Sequence, residues 1–272
     1  MKDWIRQVFV LCALMVFLAG CTTVPITGRS QFNTVPDSLI NSMALQEYNS
    51  FLRNPENKLS TDPEKTAMVK RVGKRIADAV ERYMNEHGRA DQIADYQWEF
   101  NLIDSPEKNA WAMPGGKVVV YTGILEVAQD DAGLAVVMGH EIAHAIARHG
   151  AERMTQGLTI TLGGVALNEA LRDEPSATRN IFLASYGVGA TVGIMLPYSR
   201  THETEADRLG LIFMAMAGYA PEEAVGFWQR MARSKDGSGP PEFLSTHPKP
   251  ANRVEYIKRV IAETLPERLP PR

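Results

Sequence analysis

The sequence predicts an α+β domain, mostly helical, with a small β-sheet beside one buried helix. Two runs, 62–86 and 132–148, repeat apolar residues at helical spacing and hold no proline past their first turn. Tyr96, Trp98, Phe100 and Leu102 alternate with polar residues, and Lys117-Val118-Val119-Val120-Tyr121 forms a second short strand pattern. The composition, 44% hydrophobic and 22% charged over 272 residues, suffices for one sizeable core. A formal charge of −3 without any basic block excludes a nucleic-acid partner.

Residues 1–20 read as a lipoprotein signal peptide. Lys2 and Arg6 supply a positive start, and 8–18 is an apolar core too short for a comfortable membrane span. The segment closes on Leu18-Ala19-Gly20-Cys21, which resembles the bacterial lipobox and implies cleavage before Cys21 and lipidation of that residue. Cleavage removes Cys12, so no internal disulfide is expected. Anchoring would come from acyl chains, each buried CH₂ contributing about 0.8 kcal/mol. Thr22 after the cysteine resembles the class sorted to the outer membrane.

Residues 21–36, with Pro25, Gly28 and Pro36, read as a tether. A single domain is expected over 37–264. Asp37 caps a helix to about 52, and Asp62-Pro63 opens a second with Val69, Val72, Ile76, Val80 and Tyr83 facing a core. Pro114-Gly115-Gly116 marks a turn before the strand 117–121. Were that strand at a sheet edge, its free backbone groups would pair with an extended substrate, making Asn109, Ala110, Lys117, Val118 and Val119 substrate-strand candidates.

The helix at 132–148, capped by Asp130 or Asp131 and stopped near His149-Gly150, carries His140-Glu141-Ile142-Ala143-His144. Positions four apart lie within about 40° of each other on a helix, so both imidazoles reach one ion from one face. Glu141 lies beside them, free to act as general base. Catalytic zinc takes three protein ligands, so a third must come from elsewhere. The segment 199–207 holds His202, Glu203, Glu205 and Asp207. Glu203 and Asp207 share a face, with Asp207 suited to orient a ligating histidine, whereas Glu205 points about 200° away. Spacing does not rank Glu203 above His202 or Glu205. His149 is a poorer choice, lying half a helix circumference from His140.

The apolar stretches 158–171 and 181–196 flank the polar 172–180. Neither reaches the roughly 20 residues of a membrane span, so both are expected as buried or substrate-facing helices. Further helices are expected at 221–233 and 251–263, with flexible segments at 235–241 and 265–272.

Together, His140–His144 with Ser199-Arg200, Glu203 and Ala206-Asp207 resemble the gluzincin family of HtpX and the CAAX prenyl proteases. Pro25-Ile26-Thr27-Gly28-Arg29, Asn109-Ala110-Trp111-Ala112 and Pro114-Gly115-Gly116 extend the resemblance over about 23–260. It is nearest the envelope lipoprotein branch with BepA-like and mitochondrial Oma-like members. The resemblance implies a zincin-like metallopeptidase fold, one Zn²⁺ per chain, and Glu203 as third ligand beside His140 and His144, with Glu141 catalytic. It also makes His247, in Ser245-Thr246-His247-Pro248, a candidate inhibitory fourth ligand. The multiple membrane helices of HtpX and the helical-repeat extension of BepA are not expected. The implied function is a zinc endopeptidase of the bacterial envelope, periplasm-facing and anchored by lipid at the outer membrane, that cleaves unfolded or misassembled envelope proteins. The alternative is a zinc-stabilised lipoprotein that assists assembly with little or no proteolysis; a permanently engaged His247 would favour it, and a general base at Glu141 argues against it. Arg200 and His202 lie near enough in sequence to be considered as oxyanion partners.

Overall fold

The computed structural model describes residues 21–172, 174–191, 195–234, 241–247 and 252–268. The expected signal peptide, the lipid on Cys21 and the loop at 235–240 lie outside what it describes. Compact packing divides the chain between two units, one within Met1–Ile40 and Arg148–Ser199, the other within Asn41–Ala147 and Arg200–Arg272.

In the first unit, β1 (Cys21–Thr23) and β2 (Ser30–Phe32) pair antiparallel, with Cys21 opposite Phe32. The segment expected as a tether therefore carries a hairpin. Its turn places Ile26 and Gly28 at φ of 67° and 68°, where glycine is the natural occupant and isoleucine is strained. α1 (Asp37–Arg53) starts here and continues into the second unit. Residue 148 sits in the left-handed region (φ 58°), its guanidinium paired with Asp37. The chain then enters α5 (His149–Ala170), and after a turn α6 (Ser176–Ala190). Ala151 of α5 packs with Val35, Ile40 and Met154. Arg29 reaches Glu152 through two hydrogen bonds of 2.9 and 2.7 Å. The expected stop at His149-Gly150 is thus a helix start, and buried His149 belongs to this unit.

In the second unit, α2 (Pro63–Glu86) is capped by Asp62, whose Oδ1 accepts the N–H groups of Glu64 and Lys65 at 3.1 and 3.0 Å. Its buried face is Val69, Val72, Ile76, Val80 and Met84; Tyr83 instead stacks on His87, ring centroids 3.9 Å apart. β3 (Glu99–Ile103), β4 (Ala110–Met113) and β5 (Lys117–Tyr121) form a sheet ordered β3-β5-β4, with β3 parallel and β4 antiparallel to β5. α3 (Thr122–Ala128), a short helix without a clear sequence mark, leads to α4 (Asp131–Ile146).

α4 is the axis of this unit. Every residue from Gly133 to Ile146 is buried, and α2, α3, β4 and β5 pack around it. A helix covered on all sides is apolar all round, which is why its polar residues, His140, Glu141 and His144, stand out. Asp130 caps it, Oδ1 accepting Gly133 N–H at 2.8 Å. Replacing Asp130 with Ala should lower stability by about 1 kcal/mol in chemical denaturation, the usual cost of a lost cap. α7 (Leu196–Met216), α8 (Glu223–Arg233), α9 (Glu242–Thr246) and α10 (Arg253–Arg268) complete the unit. α10 continues through part of the tail expected to be flexible from 265 onward. The α+β, mostly helical expectation holds, with the small sheet beside α4.

Candidate metal centre

His140 and His144 project from one face of α4, with Nε2 atoms 3.1 Å apart. α7 delivers Glu203 to the same point, its carboxylate oxygens 3.3 Å from His140 Nε2 and 3.3 Å from His144 Nε2. What lets the helices approach is a pair of glycines. A Cβ on Gly210 would stand 2.8 Å from His140 N, and one on Gly139 would stand 2.9 Å from Gly210 O. With backbone against backbone there, Glu203, two turns earlier on α7, lies opposite the histidines.

His247, at the end of α9, is the fourth member. Its Nδ1 lies 3.1 Å from Glu203 Oε1 and 3.3 Å from His140 Nε2, and its Nε2 lies 3.4 Å from Glu141 Oε1. The Phe243 ring stacks on it at 4.6 Å, and Phe243 itself is fully buried with its N–H donating to Lys108 O. Ligand atoms of His140, His144, Glu203 and His247 all lie within 4.8 Å of one another. Glu205, although buried, and His202, buried as well, are not among these four, and Arg200 is exposed.

Behind the cluster, Asp207 Oδ1 is 3.0 Å from His140 Nδ1, placing the proton on Nδ1 and turning the Nε2 lone pair toward the centre. Asp207 is held in turn by Arg253, whose Nε and Nη2 each donate to it at 2.7 Å. The Arg253 guanidinium lies 3.4 Å over the Trp228 ring, a cation–π contact strengthened by burial. Asp207 and Arg253 are both 4% exposed, so this is a paired buried charge, not a surface ion pair. Sequence reading passed over Arg253. It lies 46 residues from Asp207 on an otherwise ordinary amphipathic helix, and no local spacing marks it.

The electrostatics follow from crowding of acceptors. Burial works against ionisation of Glu203, yet hydrogen bonds from His140, His144 and His247 hold its carboxyl far below the usual range. Burial also opposes Asp207, but the Arg253 charge and His140 outweigh it. His140 is pushed up to about 9, because its bonds to Asp207 and Glu203 overcome desolvation, whereas desolvation holds His144 down to about 3. Burial pushes the Glu141 carboxyl up. Glu141 is 3% exposed, and its Oε1 accepts no hydrogen bond. A buried carboxylate oxygen without a hydrogen bond, with only the His247 imidazole 3.4 Å away, is costly and calls for a reason.

These observations fit a divalent ion. Two imidazole nitrogens and a carboxylate oxygen, all sequestered and aimed at one point, form the donor set that suits zinc. The Glu141 oxygen beside them, which accepts no hydrogen bond, is placed to handle a proton. Residues 63–261 match the model of peptidase family M48.

The chain belongs to that family. It is 32% identical to the mitochondrial metalloendopeptidase OMA1 of Schizosaccharomyces pombe over 97% of this chain and 72% of that protein. It is 31% identical to human OMA1 over 94% of this chain and 49% of that one. It is 27% identical to the beta-barrel assembly-enhancing protease of Escherichia coli K12 over 88% of this chain and 47% of that protein. This M48 chain is a metalloendopeptidase, and its substrates are proteins.

One expectation is corrected. Lys117, Val118 and Val119 lie on β5, the central strand, paired with β3 on one side and β4 on the other. Their ladder groups are consumed, so they offer no edge to a substrate. Among the described residues β4 pairs with β5 alone, which leaves Ala110, next to Asn109, on the strand that borders α4.

Proposed function

We propose that this M48 chain is a zinc endopeptidase in which His140, His144 and Glu203 hold Zn²⁺, Glu141 is the general base, and Asp207 orients His140. The observation that carries the reading is the convergence of those three donors on one point beside the buried carboxylate of Glu141, whose Oε1 accepts no hydrogen bond and has the His247 imidazole 3.4 Å away. When bound, Zn²⁺ supplies Lewis acidity to the scissile carbonyl and makes water acidic enough to deprotonate near neutral pH. Glu141 receives the proton from the attacking water and returns it to the nitrogen of the leaving amine. Arg253 contributes through Asp207, whose carboxylate it keeps ionised and fixed. The free edge of β4 offers ladder groups to an extended chain, so the substrate binds as an added strand, from Asn109 and Ala110 onward. Unfolded polypeptide meets that requirement and compact protein does not.

The setting is the finer part of the reading. The lipobox-like ending at Cys21 supports a lipid-anchored protein of the bacterial envelope, facing the periplasm from the outer membrane. The likeness to a beta-barrel assembly-enhancing protease supports misassembled envelope proteins as substrates.

His247 acts as a self-inhibitory fourth ligand in this scheme. Its place between Glu203 and Glu141 supports that role, because an imidazole there stands where the attacking water must be. Permanent engagement would leave a zinc-stabilised assembly factor with little proteolysis, so the two readings differ in how often His247 withdraws. The test is cleavage of a permanently unfolded protein by the zinc-loaded chain and by His247→Ala. A site closed nine-tenths of the time should gain roughly tenfold on removal of the imidazole. Equal rates would reject the plug, and absence of cleavage by both, with zinc bound, would reject the peptidase mechanism given to these residues.

A further inference from the structure

The helical pair of the first unit carries a surface that the reaction does not use. On α5, Ala151, Met154, Leu162 and Val165 all lie within about 40° of Leu158. The first two are covered by Val35 and Ile40. Past Thr155 the same stripe loses its cover: Leu158, Leu162 and Val165 are 50%, 67% and 61% exposed. α6 adds Ile181, Phe182 and Val188 at 67%, 53% and 64%. These stretches are expected from the sequence to be buried or substrate-facing.

Apart from Phe182, the exposed side chains are not the seam between the two helices. The Tyr186 hydroxyl donates to Ile160 O at 2.9 Å, and an added Cβ on Gly163 would meet that hydroxyl at 2.2 Å. Ile160 and Gly163 lie about 140–160° from Leu158 around α5, and Tyr186 lies about 140° from Ile181 around α6. Leu158, Leu162 and Val165 on α5, and Ile181 and Val188 on α6, therefore face away from the helix contact, whereas Phe182 lies one turn from Tyr186 on the contact side. No charged residue occurs in 156–168 or 180–191; Glu169, Arg172, Glu174 and Arg179 gather at the connecting turn. Apolar surface of this extent on a soluble face marks an interaction site.

The position of Cys21 indicates the occupant. Cys21 is paired with Phe32, and two residues on, Thr34 N–H donates to Thr155 Oγ1 at 3.1 Å. At ordinary strand spacings Cys21 lies within roughly 15 Å of the turn of α5 where the stripe becomes exposed. Acyl chains on Cys21 would enter a bilayer beside the base of the helical pair. Among the described residues no helix is long and apolar enough to cross a membrane, so the contact is one that lies in the surface.

We propose that the outer face of α5, carrying Leu158, Leu162 and Val165, rests in the headgroup–acyl boundary of a phospholipid leaflet, the one that receives the lipid of Cys21. The committed occupant is a bilayer, recognised by apolar burial and not by headgroup charge, since the face holds no basic residue to select anionic lipid. The placement of the leaflet rests on the lipoprotein reading of Cys21, whereas the apolar face does not, and the experiment separates the two.

The full chain is purified from membranes in wild-type form and as Leu162→Trp, Val165→Trp and Arg153→Trp, then reconstituted into phosphatidylcholine vesicles whose acyl chains carry bromine. Arg153 is the reference position, exposed on the same helix about 140° around from Leu158. Intact mass reports whether Cys21 is acylated, which decides the lipoprotein reading by itself. Trp at 162 and at 165 should shift to the blue and be quenched by roughly twofold or more, equally at low and high salt, while Trp at 153 is not. That result supports the bilayer contact with or without acylation. Quenching at 162 and 165 no greater than at 153 overturns it, also when Cys21 is acylated. A blue shift without bromine quenching, accompanied by a dimer mass in light scattering, assigns the face to a second copy and equally overturns it.

Discussion

Replacing Glu141 with Gln is expected to abolish cleavage of an unfolded protein while leaving zinc content unchanged. Glutamine keeps the shape of the side chain and cannot take a proton from water, and general-base catalysis alone contributes about 10²–10⁴-fold. Glu141 is not among the convergent donors His140, His144, Glu203 and His247, so metal binding should survive. Stability should hold or rise, because an amide is cheaper to bury than a carboxylate with an oxygen that accepts no hydrogen bond. Rate, metal analysis and a thermal melt on one preparation check all three. A variant that retains more than about a tenth of the wild-type rate would assign the base elsewhere.

Gly210→Ala should force apart the two helices that carry the donor set. An ideal Cβ there falls 2.8 Å from His140 N and 2.9 Å from Gly139 C, and backbone atoms have no rotamer through which to yield. α4 and α7 must part, which separates the histidines from Glu203. Alanine favours a helix over glycine by about 1 kcal/mol, and overpacking of this kind costs about 1–3 kcal/mol, so a net loss is expected. Zinc affinity should fall as well, because the two halves of the donor set ride on the two helices. Gly226→Ala on α8 is the control: its nearest neighbour is Arg230 Nη1 at 3.0 Å, the end of a flexible side chain. That variant should be neutral or slightly stabilised. Equal behaviour of the two in denaturant and in zinc titration would refute the role given to the glycine crossing.

How much was legible in the sequence depended on how local the signal was. His140, Glu141 and His144 share one helix, so their geometry follows from 3.6 residues per turn, and the helix around them announced itself by apolar content and a capping aspartate. Glu203 and Asp207 were legible as a face of α7, but spacing did not choose between Glu203, His202 and Glu205; the third dimension did, through the crossing at Gly139 and Gly210. Strand order is a non-local property. The run 117–121 reads alike at the centre or the edge of a sheet, and it proved central, with β3 and β4 as the outer strands among the described residues. Arg253 left no trace, since a buried arginine is defined by its partners, Asp207 and Trp228, and neither is near in sequence. For α5 and α6, apolar composition left burial and a substrate-facing surface as alternatives. The structure exposes the face, and composition does not tell a core from a surface that awaits a partner.

Zinc K-edge X-ray absorption on the zinc-loaded full chain tests the central claim most directly. The account predicts one zinc per chain with a first shell of nitrogen and oxygen at about 2.0–2.2 Å. Three imidazoles should scatter when His247 is engaged and two in His247→Ala, and bound zinc should be lost in Glu203→Ala. A sulfur shell at about 2.3 Å, or a spectrum unchanged by Glu203→Ala, would place the metal elsewhere and contradict it.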